Sequence, residues 1–578
     1  MKIKNEDIVA RECRFAIHLP ERHGVRPDLH LIKEIVHLKD GSTQPQVRLA
    51  RDYKRKFWLT APSFRNHKDK KEWEHVDKLV EYECTQSQLR DRVAAALELA
   101  YTSDHLKKLS VSPYLYGTDM TSTSLIKKQY MEKYPEHRTP YNIGYLDIET
   151  RPGKDGSNKI VLITVLFKDK LFTAAIKSMV SGIADLDRAL ETAMNTYLPQ
   201  YKDKLDDTLG VYDTEIDLIK AAFAKLHSWS PDFLAIWNMD FDIQRILETI
   251  HKSHLDPKDV LSDPNIPEYA RYCKYIQGKT KKVTASGKVT PISPASRWHT
   301  FLLTAGFYVM DAMCVYKLLR IQDGEKPSYS LDAILKDELK TQKLKFDKAD
   351  HLIGIPWHLY MQDNYPVEYI VYNRYDVLSM QELEAKTKDL AFKVPEFAGC
   401  TDFDKFNSQP KKIADAMYGY LEKQGYILGT VGYEDNKPFV FEEDDSGLND
   451  DEEEESSVLS LAGWILTLQA DMQCHGLKLL VDAPDIQTNI RGMVYDSDAV
   501  SAYPTATSVQ NISKETTERE IISIEGIPED VFRMQNINLM SGPINSVEYC
   551  INMLNAPKLQ TLHSMYVKQK GINNDLSA

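Results

Sequence analysis

The chain is poor in cysteine, and its cysteines are too far apart to form a recognisable metal-binding or redox motif. Its 578 residues contain no Cys-x-x-Cys motif. The seven cysteines are Cys13, Cys84, Cys273, Cys314, Cys400, Cys474 and Cys550. Disulfide-stabilised domains and zinc-binding modules need cysteines at short, repeated intervals. The spacing therefore predicts a reduced, cytoplasmic protein without a structural zinc site.

Long apolar runs are also missing. No uninterrupted apolar stretch approaches the roughly 20 residues of a membrane-spanning helix. The first residues, Met1–Asp7, contain no apolar run of the kind found in a secretory signal. We therefore expect neither export nor a membrane partner.

An excess of positive charge, common in nucleic-acid-binding proteins, is absent as well. The net charge is −13, but residues 442–455 alone contribute ten acids and no Lys or Arg. Without that run the charge is −3, which still allows local basic grooves. The acidic run cannot bury apolar surface, so we predict a solvated, disordered insertion.

The patterning of the middle of the chain predicts a mixed α/β (α+β) fold. Strands are expected at Ile143–Ile148, Lys159–Phe167, Leu171–Ile176 and Phe233–Trp237, and helices at Thr214–Ser228, Phe241–Lys252 and Pro366–Thr387. Short loops join the first three strands, as in an antiparallel meander. A meander followed by alternating helices and strands is compatible with an RNase H-like domain.

Two further segments have helical spacing of apolar residues. Trp73–Ala100 is predicted to be helical. Ile413, Met417 and Leu421 mark one stripe of a second helix, which we expect to pack in the core.

Basic residues cluster at two places. Arg51–Trp58 interleaves basic and aromatic residues, which suits either contact with a nucleic-acid backbone or an edge strand with a solvated face. Residues 279–290 carry basic arms on both sides of Ala-Ser-Gly, which predicts a hairpin.

Acidic residues recur on three of the predicted elements. Asp147 and Glu149 alternate on a strand, so both carboxylates can point to one site. Asp242 follows the transition from a buried strand to a helix, and Tyr372 and Asp376 are four apart on a helix and share a face. Four converging carboxylates cannot all stay ionised without cations, which indicates a two-metal centre for phosphodiester cleavage.

Each residue has a defined role in that chemistry. One cation would activate a water molecule and the second would stabilise the leaving 3′ oxygen. Asp147 would bridge the ions, Glu149 and Tyr372 would orient the water, and Asp242 and Asp376 would complete the coordination. Oxygen-only ligands favour Mg²⁺, or Mn²⁺ as a substitute, over zinc. Taken singly, Asp242 could be an acid favoured by a helix dipole, and Tyr372 a half-buried tyrosine.

A second candidate site is the segment Asp498–Thr505, which reads DAVSAYPT. An acid at a strand end is followed by a turn whose N–H groups could hold a triphosphate, with an aromatic ring beneath the sugar. The alternative is a strand that simply ends in a Tyr-Pro turn.

Together these motifs resemble the amino-terminal part of the family B DNA polymerases, particularly the T-even-type bacteriophage enzymes. Asp147-Ile148-Glu149 matches the first exonuclease motif, Tyr372 to Asp376 the third, and Asp498 to Thr505 polymerase motif A. The resemblance extends over roughly residues 50–517. In the second exonuclease motif Asn238 and Phe241 are one residue closer than usual, which weakens the case for Asn238 more than that for Asp242.

The resemblance implies an RNase H-like 3′→5′ proofreading exonuclease domain embedded between an N-terminal domain and a partial polymerase palm. The corresponding ranges are 1–140 for the N-terminal domain, 141–395 for the exonuclease, 396–457 for a return to the N-terminal domain with the acidic insertion 442–457, and 458–578 for the palm. It implies primer-template and single-stranded DNA and dNTPs as ligands, and a host-cell cytoplasmic location if the chain is phage-encoded.

The resemblance also assigns roles in the second site. Asp498 would bind catalytic magnesium, Ser501 and Ala502 would offer main-chain contacts to the nucleotide, and Tyr503 would exclude a ribose 2′-OH. The basic hairpin at 279–290 matches the position of the family's strand-separating hairpin.

Other polymerase motifs are missing. No Lys-x-x-x-Asn-Ser-x-Tyr-Gly segment and no second Asp-Thr-Asp pair follow residue 517. We therefore expect a split polymerase whose second subunit supplies the remaining palm, fingers and thumb, and through them a sliding-clamp contact; this chain alone should not polymerise. The alternatives are a free-standing single-strand 3′→5′ exonuclease, a non-catalytic DNA-binding replication subunit, or a truncated form of a longer polymerase.

Overall fold

The structure, a computed structural model, describes residues 5–67, 70–99, 106–153, 158–283 and 289–431. Residues Met1–Tyr433 form one compact unit, and the boundary with the second unit falls at Glu434. The acidic segment 442–457, the predicted palm 458–578 and motif A therefore lie outside the described residues.

Eighteen strands occur within the described residues. They are β1 Ile8–Leu19, β2 Leu29–Leu38, β3 Thr43–Arg51, β4 Arg55–Thr60, β5 Trp73–His75, β6 Leu79–Cys84, β7 Leu115–Tyr116, β8 Ile143–Pro152, β9 Asn158–Phe167, β10 Lys170–Ile176, β11 Asp206–Tyr212, β12 Phe233–Ile236, β13 Cys273–Ile276, β14 Lys281–Val283, β15 Val289–Pro291, β16 Thr300–Leu303, β17 Tyr308–Asp311 and β18 Tyr426–Leu428.

The same ranges contain fourteen α-helices. They are α1 Leu89–Ala96, α2 Leu106–Leu109, α3 Ser122–Lys133, α4 Lys177–Val180, α5 Leu186–Tyr197, α6 Glu215–Trp229, α7 Met239–Lys252, α8 Pro257–Leu261, α9 Ala312–Leu319, α10 Leu331–Glu338, α11 Ile355–Asn364, α12 Pro366–Thr387, α13 Val394–Ala398 and α14 Gln409–Glu422. None of them is long and apolar enough to cross a membrane.

A six-stranded mixed sheet forms the centre of the unit, in the order β11-β10-β9-β8-β12-β17. Strands β8, β9 and β10 pair antiparallel, whereas β12 pairs parallel with both β8 and β17, and β11 pairs parallel with β10. The predicted meander and the mixed α/β class are both confirmed. The predicted helices correspond to α6, α7 and α12, and α12 has the predicted bounds.

Helices cover both faces of this sheet, which explains why β9 is apolar along almost its whole length. Leu146, Ile148 and Ile163 pack in one core with α6 and α7. Tyr145 and Leu166 pack in a second core with α12. The side-chain alternation of β8 therefore places Tyr145, Asp147 and Glu149 on the α12 side.

The N-terminal part contains two three-stranded sheets, β1-β2-β3 and β6-β4-β7. Two predictions fail here. The helix expected over Trp73–Ala100 is mostly extended, because Leu79 and Val80 pair with β4 in a sheet and only Leu89–Ala96 is helical. Arg55–Thr60 is a central strand and not an edge, so its aromatic rings are buried and cannot stack on a nucleic acid.

Arg55 is buried and does not face a nucleic acid. Its guanidinium donates to the carbonyl oxygens of Gly117 and Met120, at 2.8 and 2.7 Å, and therefore holds a turn rather than a phosphate. The predicted basic hairpin forms in part, since β14 pairs antiparallel with β15.

The apolar stripe of α14 is not core, contrary to the prediction. Ile413 is 59% exposed and Met417 41% exposed, while the opposite face buries Asp415 and Tyr418. Helical periodicity identified the helix correctly but assigned the wrong face to the interior. The five cysteines in the described ranges are all free.

Candidate active site

Three of the predicted acids meet between β8 and α12. One carboxylate oxygen from each of Asp147, Glu149 and Asp376 can be chosen so that the three atoms lie within 4.8 Å of one another. Glu149 and Asp376 are buried, and Asp147 is partly exposed. A strand with alternating acids, crossed by a helix carrying Asp376 on its inner face, produces this convergence.

Asp242 lies next to this group but outside the 4.8 Å cluster. It occupies the first turn of α7, which begins just beyond the end of β12, the parallel neighbour of β8. Its side chain is buried, and the backbone N–H of Ile148, between the two strand acids, faces its carboxyl group. The four predicted carboxylates therefore share one region, with three of them in direct proximity.

Tyr372 joins the cluster through a lysine that the sequence did not single out. Lys343 donates from Nζ to Asp376 Oδ2 at 2.6 Å and to the Tyr372 hydroxyl at 3.2 Å. The Tyr372 ring is buried and packs beside Trp357, with the ring centroids 5.0 Å apart. Lys343 thus places a positive charge beside Asp376 and positions the phenol of Tyr372.

A chain of hydrogen bonds across the sheet holds Asp147. Asn373 on α12 donates to Asp147 Oδ2 at 2.6 Å and accepts from Thr164 at 2.5 Å. Thr164 lies 3.0 Å from Thr173, which accepts from the buried guanidinium of Arg374.

Strand register explains this chain, because Thr164 is the cross-strand partner of both Asp147 and Thr173. Thr164 has a single proton and gives it to Asn373, so Thr173 must donate to Thr164. The hydrogen bonds consequently all run in one direction, from the Arg374 guanidinium to the Asp147 carboxylate. In such an arrangement each hydrogen bond strengthens the next.

Glu149 is held by a second set of partners on α11 and α12. The Tyr369 hydroxyl donates to Glu149 Oε2 at 2.5 Å, and His358 Nδ1 lies 3.4 Å from the same oxygen. Gln362 donates to the Tyr369 oxygen at 3.2 Å and to the carbonyl of Thr150 at 3.0 Å. Glu149 is therefore fixed through its Oε2 atom.

The acids repel one another strongly. Burial raises the pKa of Asp147 well above its usual value, and the charges of Asp376 and Asp242 raise it further. Burial raises the pKa of Asp376 to about 6, although Lys343 opposes this rise. Burial alone would lower the pKa of Lys343, but the charge of Asp376 outweighs it and raises that pKa well above its ordinary value.

These residues suit divalent cations. Asp376 Oδ1 is buried and has no hydrogen-bond partner among the described residues. Leaving a buried carboxylate oxygen unpaired is costly, and coordination would remove both that cost and the repulsion between the acids. The donors are all oxygens, which favours hard cations such as Mg²⁺ or Mn²⁺.

The residues around Asp242 play structural parts. Asp240 does not cap α7; its carboxylate accepts from the Tyr275 hydroxyl at 2.5 Å. Asp311 instead accepts from the backbone N–H groups of Met239 and Cys314, both at 3.0 Å, and so begins two helices. Asn238 adopts a left-handed conformation at the turn and makes no capping hydrogen bond.

Sequence inspection missed Lys343, Asn373 and Tyr369. Tyr369 and Asn373 could have been found, since they lie one turn before Tyr372 and Asp376 on the face of α12 that carries them. Lys343 gave no signal, because it stands in a loop among other lysines and approaches Asp376 only in the folded chain.

Asp498, Ser501, Ala502 and Tyr503 lie outside the described residues, so the second candidate site stays a sequence prediction. No family model matches the chain, and no curated protein matches it either.

Proposed function

We propose that this chain is a metal-dependent 3′→5′ exonuclease of the proofreading kind, acting on single-stranded DNA ends. The observation that carries the proposal is the convergence of Asp147, Glu149 and Asp376 within 4.8 Å, with Tyr372 at their edge. The three antiparallel strands followed by two parallel ones resemble the sheet of an RNase H-like domain, which supports the same proposal.

The side chains have distinct roles in this reaction. Two bound Mg²⁺ ions would supply charge neutralisation of the scissile phosphate and activation of water. Asp147, Asp376 and Asp242 would hold them, with Asp147 positioned by Asn373. Glu149, fixed by the Tyr369 hydroxyl, would accept a hydrogen bond from the attacking water.

Tyr372 and Lys343 would contribute a hydrogen bond and a positive charge beside the acids. The phenol can donate to a water or a phosphate oxygen once Lys343 occupies its lone pair. The ammonium group would offset negative charge that develops on the phosphate, a contribution that is large in a dry site.

The second part of the proposal concerns the polymerase. The order of the exonuclease motifs and motif A supports an amino-terminal portion of a family B-like DNA polymerase, with Asp498 as a magnesium ligand and Tyr503 as the sugar gate. One palm carboxylate cannot hold two magnesium ions. Primer extension should therefore require a polypeptide with the remaining palm, fingers and thumb.

The exonuclease proposal is tested by incubating the purified chain with Mg²⁺ and a 3′-labelled single strand. We expect release of mononucleotides, and a loss of at least about a thousandfold in Asp147→Ala, because several kcal/mol of charge stabilisation is lost at 1.36 kcal/mol per tenfold. Asp363→Ala, which removes an exposed acid of nearby α11, is the matched control and should keep the rate. No release by the unmodified chain would refute the proposal.

Primer extension separates the rival interpretations. Extension that appears only when a second polypeptide with the missing motifs is added supports the split polymerase. Nucleotide release without extension in any combination supports a free-standing exonuclease. Extension by this chain alone would contradict the incomplete palm.

A further inference from the structure

A second group of potential metal ligands lies in the N-terminal sheet, away from the acidic site. His18 on β1 and His30 on β2 are direct cross-strand partners. Asp28 precedes β2 and stands two residues before His30, so its side chain shares the same face. Cross-strand partners have Cβ atoms about 5 Å apart, close enough for both imidazoles to reach one ion.

The three side chains approach one another closely. His18 Nε2 lies 2.9 Å from Asp28 Oδ2, and His30 Nδ1 lies 3.7 Å from Asp28 Oδ1. One ligand atom from each residue can be chosen so that all three lie within 4.8 Å of one another.

Two of these atoms lack partners. Asp28 Oδ1 and His30 Nδ1 form no hydrogen bond among the described residues. Both atoms are buried, since the side chains of Asp28 and His30 are only 1% and 0% exposed. Leaving a buried polar atom without a hydrogen-bond partner is energetically costly. The His18–Asp28 hydrogen bond alone therefore does not account for the arrangement, because it leaves this facing pair unsatisfied.

Neighbouring groups orient His30 and Asp28 towards each other. His30 Nε2 lies 2.6 Å from Ser122 Oγ, and the backbone N–H of Ser87 donates to Asp28 Oδ2 at 2.9 Å. When Nε2 carries the proton and donates to Ser122, the Nδ1 lone pair faces Asp28, which is the usual arrangement of a metal-binding histidine.

The site is accessible from solvent on one side. His18 is 21% exposed, which gives an ion access to the site from solvent.

We propose that His18, Asp28 and His30 bind one divalent transition-metal ion, zinc in first place. Two imidazole nitrogens and one carboxylate oxygen form a three-ligand set suited to zinc and unsuited to magnesium, with a water molecule as fourth ligand. The ion would link the end of β1 to the start of β2 and, through Ser87 and Ser122, to the turn before α1 and to α3. Its role would be structural.

This proposal departs from the expectation of no structural zinc, which rested on the cysteines alone. It is independent of the proposed nuclease, because none of the three residues belongs to the acidic cluster.

The test uses the full chain, stripped with EDTA and titrated with ZnCl₂ by calorimetry, with the melting temperature measured in parallel. His18→Ala should weaken the tightest zinc site by at least about tenfold, the minimum expected when even a supporting residue is lost. Its zinc-dependent rise in melting temperature should also disappear. His23→Ala removes an exposed histidine of the same region and should behave as the unmodified chain.

His18 is chosen because it is partly exposed, so its removal should leave the fold intact; Asp28→Asn provides a second, nearly isosteric variant. Equal zinc affinity in His18→Ala and His23→Ala would overturn the proposal, and so would the absence of zinc binding by the unmodified chain. In either case the three residues are a hydrogen-bonded structural group only.

Discussion

The acidic site between β8 and α12 and the histidine site between β1 and β2 both contain a buried carboxylate, but their surroundings act on it in opposite ways. Burial raises the pKa of Asp376 to about 6 beside two other acids. Burial would likewise raise the pKa of Asp28, but hydrogen bonds from His18 and Ser87 outweigh it and lower that pKa.

The difference shows that the neighbours of a buried carboxylate, and not its burial, decide what it can bind. Three acids with one lysine store repulsion that hard divalent cations can relieve. Asp28 lies between two imidazoles and already accepts hydrogen bonds on one oxygen. Together the three residues offer both nitrogen and oxygen ligands, which suit a softer ion. The two sites should therefore respond differently to pH, to magnesium and to zinc.

The largest difference between the two sites is expected in the dependence of stability on pH without metal. The folded pKa of Asp376 is about 6 against an ordinary 3.8, equivalent to about 3 kcal/mol. The folded chain holds this proton more tightly, so the stability of the unmodified chain relative to Asp376→Asn should fall as pH rises from about 4 through 6. Urea unfolding of both proteins in EDTA measures this.

Asp28→Asn supplies the opposing case. The lowered pKa of Asp28 means that its contribution to folding stability is present above pH 3.8 and is lost as pH falls. The stability of the unmodified chain relative to Asp28→Asn should therefore rise with pH.

Mg²⁺ at pH 8 should restore stability to the unmodified chain but not to Asp376→Asn. If the stability of the unmodified chain relative to each of the two variants changed in the same direction with pH, the contrast between the sites would be contradicted.

A smaller effect is expected for Lys343→Met. Removing the ammonium group that contacts Asp376 and Tyr372 should slow nucleotide release by about a hundredfold, as for other charge-stabilising donors in enclosed sites. Zinc binding should not change. Lys345→Met, two residues away and exposed, is the matched control. Equal rates for the two variants would remove Lys343 from the proposed chemistry.

The smallest effect is expected for Ser122→Ala. Losing the partner of His30 Nε2 should weaken zinc binding by about tenfold, since supporting residues typically contribute 10–100-fold. Nucleotide release should be unchanged. Ser124→Ala removes a buried hydroxyl of the same helix that accepts a hydrogen bond from Thr121, and it should keep the affinity. Calorimetry with ZnCl₂ distinguishes them, and equal losses would indicate a general effect on α3.

Local patterns predicted much of the sheet that carries the acidic site. Strand alternation placed Asp147 and Glu149 on one face, and a helical spacing of four placed Tyr372 with Asp376; both arrangements hold in the structure. The same reasoning failed over Trp73–Ala100, where pairing with β4 overrode a helical pattern. It also failed on α14, because periodicity gives the existence of an apolar face but not its partner.

The sequence alone determined which residues could do chemistry: an Asp-x-Glu on a strand, a Tyr-x-x-x-Asp on a helix, and their order along the chain. Only the tertiary structure decided their partners. Lys343 reaches Asp376 from a loop, Thr164 lies beside Asp147, and His18 faces His30 across two strands. The physical reason is that local periodicity fixes the direction of a side chain, whereas strand register and helix packing, which depend on the whole core, fix what it meets.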